Sequence, residues 1–235
     1  MPVWDNPLIK KGMTAQLATR RARIAAGEKP IGWKVGFGAP ASLQKLGLAA
    51  PLIGFLMQKA QLAPGSIVSL KNYVRPVAEP EIAACMGSDL GAGATPDAVL
   101  AAIKELRPAI EIADLDPPPA PDILDQVLAG NIFQRHVLVG EGAHPGGGVR
   151  GLTSRLTRRG EEANRTSDPE ALTGKLVDIV AHVADTLAAF GEKLSAGDIV
   201  ITGSITPPLL IETDEAELVH ALDPAGEVSV RFSRD

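Results

Sequence analysis

A single cysteine, Cys85, is all that this chain of 235 residues carries. No intramolecular disulfide framework can hold it together, and the count fits a reducing compartment. Cys85 sits in the apolar run IAACM, the setting of a buried thiol rather than of a nucleophile. Aromatic residues are scarce, at 3%. With 45% hydrophobic residues overall, the core has to be packed from Ala, Val, Leu and Ile. A concentrated basic stripe is missing too, and the net charge of −5 argues against a nucleic-acid partner. The one locally basic run, RLTRRG (155–160), reads as a hairpin with Gly160 at its turn. No apolar run reaches about 18 residues, and no signal-peptide pattern opens the chain. A cytoplasmic protein with no membrane partner is expected. Internal repeats and low-complexity tracts are absent as well.

What is present is a mixture of short strands and a few helices. Residues 13–26 (MTAQLATRRARIAA) are expected to be helical, ending at Gly27, and IGWKVGFG (31–38) to be a strand. Thr95-Pro96 starts a second helix, an N-cap followed by proline at the first helical position; its VLAAIKEL run is expected to stop before Pro108. Strands are expected at 66–70, 108–114, 136–140, 197–204 and 227–232. Ser167 to Glu170 resembles a capping-box entry, and Leu172, Leu176, Ile179, Val183, Leu187 and Phe190 then mark one helical face. Strands outnumber helices without alternating with them, so a doubly wound sheet is not expected. A single mixed domain dominated by β-structure is.

Three places carry chemistry. In AEPEIAA (78–84), Glu79 and Glu81 share one face of a strand because side chains alternate. Like charges side by side repel, and a half-buried pair is costly. A hard divalent cation, which prefers oxygen ligands, would relieve that cost. Glu111 in PAIEIAD (108–114) is a third isolated carboxylate, between Ile110 and Ile112. The same residues also suit the solvated rim of a sheet. Since Pro80 cannot donate a ladder hydrogen bond, the E-P-E strand should be an edge or bulged strand. In IGWKVGFG, Lys34 is the one side chain on a face otherwise made of Gly32, Gly36 and Gly38. It could neutralise a bound carboxylate or move protons, or it could snorkel to water beside a crossing backbone. The third is GDIVITGSITPP (197–208), which offers backbone N–H groups and two hydroxyls to an anion, or is simply a turn.

Taken in order, GWKVGFG, PLIGFL, EPE, PAIEIAD, GNIFQRHVLVG, LSAGDIVITGSITPP and GEVSVRF resemble the fumarylacetoacetate hydrolase superfamily over roughly residues 15 to 235. The nearest branch holds the 2-hydroxypenta-2,4-dienoate (2-keto-4-pentenoate) hydratases and 4-oxalocrotonate decarboxylases of aromatic degradation. The resemblance implies an α+β fold, a mixed β-roll with flanking helices, over a single catalytic domain (1–235) whose N-terminal helical segment (about 1–28) is shortened. It implies Mg²⁺ or Mn²⁺ on Glu79, Glu81 and Glu111, Lys34 as the catalytic lysine, and Asn131, Gly203, Ser204 and Thr206 as substrate-binding positions. It also implies a homo-oligomer, associating in some cases with a related pathway enzyme.

The sequence departs from the family's pattern at several points. Leu52 and Ile53 stand where hydratase relatives often carry an acid, the D-N pair is reduced to Gly130-Asn131, and ADLDPPP lacks the family's arginine after the third acid. The expected substrate is a small 2-oxo acid whose 2-oxygen and carboxylate chelate the metal. Hydration of a 2-hydroxypenta-2,4-dienoate-type acid to a 4-hydroxy-2-oxo acid leads, ahead of decarboxylation of a 4-oxalocrotonate-type acid. His136, His144, His182 and His220 form no evident dyad, which weakens a hydrolase reading. A non-catalytic partner subunit that keeps the fold is the alternative of another class.

Overall fold

The structure, a computed structural model, is described over residues 2–235. In chain order its strands are β1 (Pro30–Gly36), β2 (Leu52–Met57), β3 (Gln61–Leu62), β4 (Ile67–Ser69), β5 (Pro76–Met86), β6 (Ile103–Asp114), β7 (Gln134–Val139), β8 (His144–Pro145), β9 (Thr153–Arg158), β10 (Glu161–Thr166), β11 (Ile199–Ser204), β12 (Leu209–Leu210), β13 (Glu217–Asp223) and β14 (Gly226–Ser233). The α-helices are α1 (Pro7–Ala25), α2 (Pro40–Leu46), α3 (Pro96–Ala102), α4 (Leu124–Ala129) and α5 (Leu176–Ala189).

Two mixed sheets form among the described residues. The larger runs β2-β1-β11-β5-β6-β7-β3, with β12 beside β5 and β8 beside β6; the smaller runs β10-β9-β13-β14-β4. Pairing is mostly antiparallel, with β1/β11, β3/β7 and β14/β4 parallel. This is the expected α+β arrangement, a β-roll with flanking helices. Helices α1, α3, α4 and α5 cover one side of the larger sheet, packing on Trp33, Val35, Ile53 and Phe55. The smaller sheet covers Ile110, Ile112 and Leu138 with Leu156, Leu218, Val228 and Val230. The remaining inner face holds Leu56, Ala83, Ala109, Val137 and Ile201, and it is on this face that the polar residues of β1, β5 and β6 converge.

Local chemistry accounts for the element ends. Asn6 caps α1 by accepting from Leu8 N–H at 2.9 Å, with Pro7 at the first helical position, so the helix begins six residues before the expected start. Gly12 lets α1 close on α4: a Cβ there would lie 2.7 Å from Leu128 Cβ. The hairpin at Arg159-Gly160 forms as expected, both residues having positive φ, as a two-residue turn requires.

Three expectations are corrected. The helix starting at Pro96 stops at Ala102, and Ile103 to Leu106 belong to β6, where Ile103 pairs with Met86 and Glu105 with Cys85. Ladder pairing wins there over a helical spacing that Ile103 and Leu106 also satisfy. Helix α5 starts at Leu176, not at the Ser167–Glu170 box; Gly174 has φ 92°, and Glu170 reaches forward to accept from Leu176 N–H at 2.7 Å. The E-P-E strand is not an edge: β5 lies between β11 and β6. Pro80 is tolerated because the ladder on that side is interrupted beside it: β11 pairs with β5 as far as Ser204–Glu81, after an irregularity between Ile201 and Ser204, and β12 resumes only at Leu209–Ala78. Pro80 still serves as an acceptor, for Ile205 N–H at 2.8 Å.

Candidate metal centre and substrate cavity

Register builds the site. Glu79 on β5 is directly opposite Glu111 on β6, and Glu81 follows on the same face of β5. One carboxylate oxygen from each of Glu79, Glu81 and Glu111 lies within 4.8 Å of the others. Glu81 and Glu111 are fully buried and Glu79 half-buried, so the solvated-rim alternative does not describe these side chains. Like charges directly opposite destabilise a sheet, and these have little water to screen them.

Their proton affinities reflect this. Burial pushes the Glu79 carboxyl up to about 7, the neighbouring Glu111 charge adding to it and Lys34 opposing it. Burial, then the charges of Glu111 and Glu79, holds Glu81 well above the usual carboxylate range. Glu111 is raised by burial as well, with Lys34 pulling the other way.

Lys34 reaches the same point from β1. Its face is glycine-lined for steric reasons: a Cβ on Gly32 would sit 1.9 Å from Ile199 O, and one on Gly54 of β2 would sit 2.8 Å from Lys34 Cγ. The ammonium is buried rather than snorkelling. It pairs with Glu111 Oε1 and donates to Ile132 O at 3.1 Å. Three carboxylates against one ammonium leave two negative charges, the charge a divalent cation brings.

The hydrogen-bond pattern fits such a cation. Glu81 Oε2 accepts from Gly203 N–H at 2.6 Å, while Glu81 Oε1 and Glu111 Oε2 are buried with no partner. Buried polar atoms are rarely left unpaired without a reason, and here two orphaned carboxylate oxygens belong to one cluster. All-oxygen donors suit Mg²⁺ or Mn²⁺.

A cavity of about 200 Å³ opens onto this cluster. Lys34, Glu79, Gly203, Ser204 and Thr206 line it; Ser204 Oγ is buried and unpartnered, whereas Thr206 Oγ1 donates to Pro207 O at 3.1 Å. Gly203, at φ 92°, presents its N–H to Glu81, so one loop serves both the acids and the cavity. Asn131 is placed differently. Its Oδ1 accepts from Phe55 N–H at 2.8 Å and its Nδ2 donates to Phe55 O at 2.9 Å. Both amide atoms are spent on β2, beside Gly54 and Lys34, and Ile132 rather than Asn131 faces the cavity. Leu52 and Ile53 are buried in the helix-side core, so β2 brings no acid into the cavity.

Lys45, Arg75, Leu172 and Thr173 are among the cavity residues that the sequence does not mark. Arg75 has the parity of Glu79 and Glu81, so extending the strand period would have found it. Leu172 and Thr173 fall in the stretch expected to be helical, ahead of the start of α5 at Leu176. Nothing local marks Lys45.

The model of the fumarylacetoacetate (FAA) hydrolase C-terminal family matches residues 35–229. The chain belongs to the fumarylacetoacetate hydrolase family. Within that family it is 31% identical to a 2-hydroxyhexa-2,4-dienoate hydratase of Comamonas testosteroni, over 99% of this chain and 90% of the relative. It is 29% identical to a 4-oxalocrotonate decarboxylase of Pseudomonas sp, over 86% of this chain and 78% of the relative. The solved 4-oxalocrotonate decarboxylase of Pseudomonas putida G7, complexed with magnesium and adipate, superposes with a TM-score of 0.85 at 25% identity, covering 96% of this chain and 86% of that one. The family fold is therefore present from α1 to β14, and the acid cluster sits on the inner face of its larger sheet. No helix among the described residues is long and apolar enough to cross a membrane.

Proposed function

We propose that this family member is a divalent-metal-dependent lyase of 2-oxo and 2-hydroxydienoic acids, with 1–235 acting as one catalytic domain. Its leading reaction is hydration of a 2-hydroxypenta-2,4-dienoate-type acid to a 4-hydroxy-2-oxo acid in aromatic catabolism. The observation that carries this is the convergence of Glu79, Glu81 and Glu111, with two orphaned buried oxygens, on a cavity floored by Lys34. The hydratase and decarboxylase names of the relatives above support the same class.

Glu79, Glu81 and Glu111 would hold Mg²⁺ or Mn²⁺, which when bound supplies Lewis acidity to a neighbouring 2-oxygen. Lys34 has three donors; Glu111 and Ile132 O take two, and the third remains for the cavity. There it holds a proton where negative charge develops on the substrate's 2-oxygen, a preorganised interaction stronger in the transition state than in the ground state. Ser204 Oγ, with the backbone around Gly203 and Thr206, holds the C1 carboxylate. Asn131 acts by fixing β2 and hence the Gly54 surface on which Lys34 rests. The apolar wall of Val35, Phe37, Leu46 and Ile132 excludes bulk water from the diene.

Decarboxylation of a 4-oxalocrotonate-type acid is the second reading, favoured by the buried, apolar Leu52 and Ile53, which leave β2 without an acid to handle water. A cytoplasmic homo-oligomer, associating in some settings with a related pathway enzyme, completes the proposal.

The test follows the ultraviolet absorbance of fresh 2-hydroxypenta-2,4-dienoate with Mg²⁺ and then with chelator, while calorimetry reports metal binding. Chelator-sensitive loss giving 4-hydroxy-2-oxopentanoate supports hydration. Turnover of 4-oxalocrotonate instead selects the second reading. Metal binding without turnover of either, coupled to an altered activity of an added relative, points to a non-catalytic partner. Absence of metal binding would sink the site assignment.

A further inference from the structure

Two cations in the cavity have no task in the site as described. Arg75 immediately precedes β5, and its backbone is fixed: its N–H donates to Asp114 Oδ1 at 2.7 Å and its carbonyl accepts from Leu115 N–H at 3.0 Å. Lys45 lies in the last turn of α2 and lines the cavity. Both side chains are exposed, and neither makes an ion pair or side-chain hydrogen bond with the described residues. Free cations are ordinary on a surface. These two line the same cavity as Glu79 and Lys34.

The strand register gives that cavity a direction. Residues 75, 77, 79 and 81 share one face of the β5 line, and residues 111, 113 and 115 share the matching face of β6. Glu79 is opposite Glu111 and Val77 opposite Ala113, and Arg75 O is bonded to Leu115 N–H. Arg75, Glu79, Ala113 and Leu115 all line the cavity. The cavity thus runs along the two strands, from the carboxylates at its deep end to Arg75 at its mouth. Four steps of extended chain separate Arg75 from Glu79, about 13 Å between their Cα atoms.

Charge follows the same axis. At the deep end three carboxylates, Lys34 and a divalent cation cancel, so a substrate's C1 carboxylate and 2-oxygen are met there by the cation, Lys34 and Ser204. Arg75 at the mouth and Lys45, exposed like it and lining the same cavity, have no counterpart among the described residues. We propose that Arg75 and Lys45 are specificity-determining residues that bind a second carboxylate, at the far end of a 2-oxo or 2-hydroxydienoic acid, so that within the hydration proposed above extended diacids are taken ahead of the short monoacid 2-hydroxypenta-2,4-dienoate, which turns over as the weaker substrate. This deepens the lyase reading and rests on it. It also bears on the reaction. A cation pair holding the distal group as a carboxylate stabilises the ground state of an acid that must lose that group as CO₂. The second carboxylate is therefore one that stays, which is compatible with hydration and opposes decarboxylation at that end.

The test compares two ligands that differ in one terminal group, 2-oxoheptanedioate and 2-oxoheptanoate. Calorimetry measures each on Mg²⁺-loaded wild type, Arg75→Gln and Lys45→Gln, with melting curves as a check on folding. Wild type is expected to prefer the diacid about tenfold, and each substitution to weaken the diacid roughly three- to tenfold while moving the monoacid less than about twofold. Raising salt should shrink the preference. With 2-hydroxyhepta-2,4-diene-1,7-dioate as substrate, KM should rise in both variants with kcat nearly unchanged. Equal affinity of wild type for both ligands, or a substitution that weakens both alike, overturns the proposal and leaves the lyase reading standing. If neither acid binds Mg²⁺-loaded protein, the lyase reading itself fails and the specificity proposal falls with it.

Discussion

The replacement Glu79→Gln should stabilise the metal-free protein, and by an amount that grows with pH. In the unfolded chain Glu79 gives up its proton near pH 4.3. In the fold, with burial and Glu111 against the charged form, it keeps the proton until about pH 7. Between these values the folded state binds the extra proton, so its contribution is complete below the unfolded pKa and is lost as pH rises through the folded one. The difference corresponds to roughly 4 kcal/mol. Glutamine mimics the neutral acid and cannot ionise. In chelator, the variant and wild type should melt nearly together at pH 4 and below, and the variant should be the more stable at pH 8 by up to about 4 kcal/mol, or roughly 8–16 °C in Tm. Comparing the two proteins cancels the titrations they share, the histidines included. Mg²⁺ should reverse the order at pH 8, because ligand binding to the native state stabilises wild type and the variant has lost one donor. Calorimetric melts at four pH values with chelator and with Mg²⁺ decide it. A wild type and variant that respond identically to pH would refute the claim that these carboxylates are held together against their own repulsion.

Other outcomes follow from the same contacts. Lys34→Met removes the charge paired with Glu111; turnover should vanish while Mg²⁺ affinity rises, by about tenfold, read by calorimetry. Gly54→Ala puts a Cβ 2.8 Å from Lys34 Cγ and 2.9 Å from Asn131 Oδ1. It should cost about 1–3 kcal/mol of stability and lower kcat at least about tenfold by displacing the lysine; an unchanged kcat would mean that Lys34 has room to move. His220 is buried between Ser154 Oγ and Ala109 O, and burial takes its pKa down to about 4. The unfolded chain takes up that proton first, so roughly 3 kcal/mol of stability, intact above about pH 6.5, is lost as pH falls toward 4. His220→Gln should flatten that acid limb in denaturant titrations.

Much of the site could be read from alternation alone. Glu79 and Glu81 share a face, and Lys34 stands on the glycine face of its strand, because period-two patterning is strict where both sides of a strand are buried. Pairing was harder. Lys34 and Glu111 are 77 residues apart, and nothing near either names the other; a family resemblance was needed to bring them together. Pro80 pointed to an edge because the interruption that accommodates it lies at the end of β11, about 120 residues downstream. The spacing of Ile103 and Leu106 is that of a helical face, and only the ladder with β5 overrides it. Asn131 matches a family position, yet its contacts are all to backbone or to Gln134.

The cavity's one-dimensional layout also bears on traffic through it. Glu81 and Glu111 are completely enclosed, and Glu79 is the member of the trio that borders the cavity. An acid lying from Ser204 to Arg75 would stand across that approach like a cork. Entry and exit should then obey an order, the ion arriving before the acid and leaving after it. A chelator added during turnover would act slowly when the acid is saturating and quickly when it is scarce, a hysteresis written into the depth at which each charge was placed.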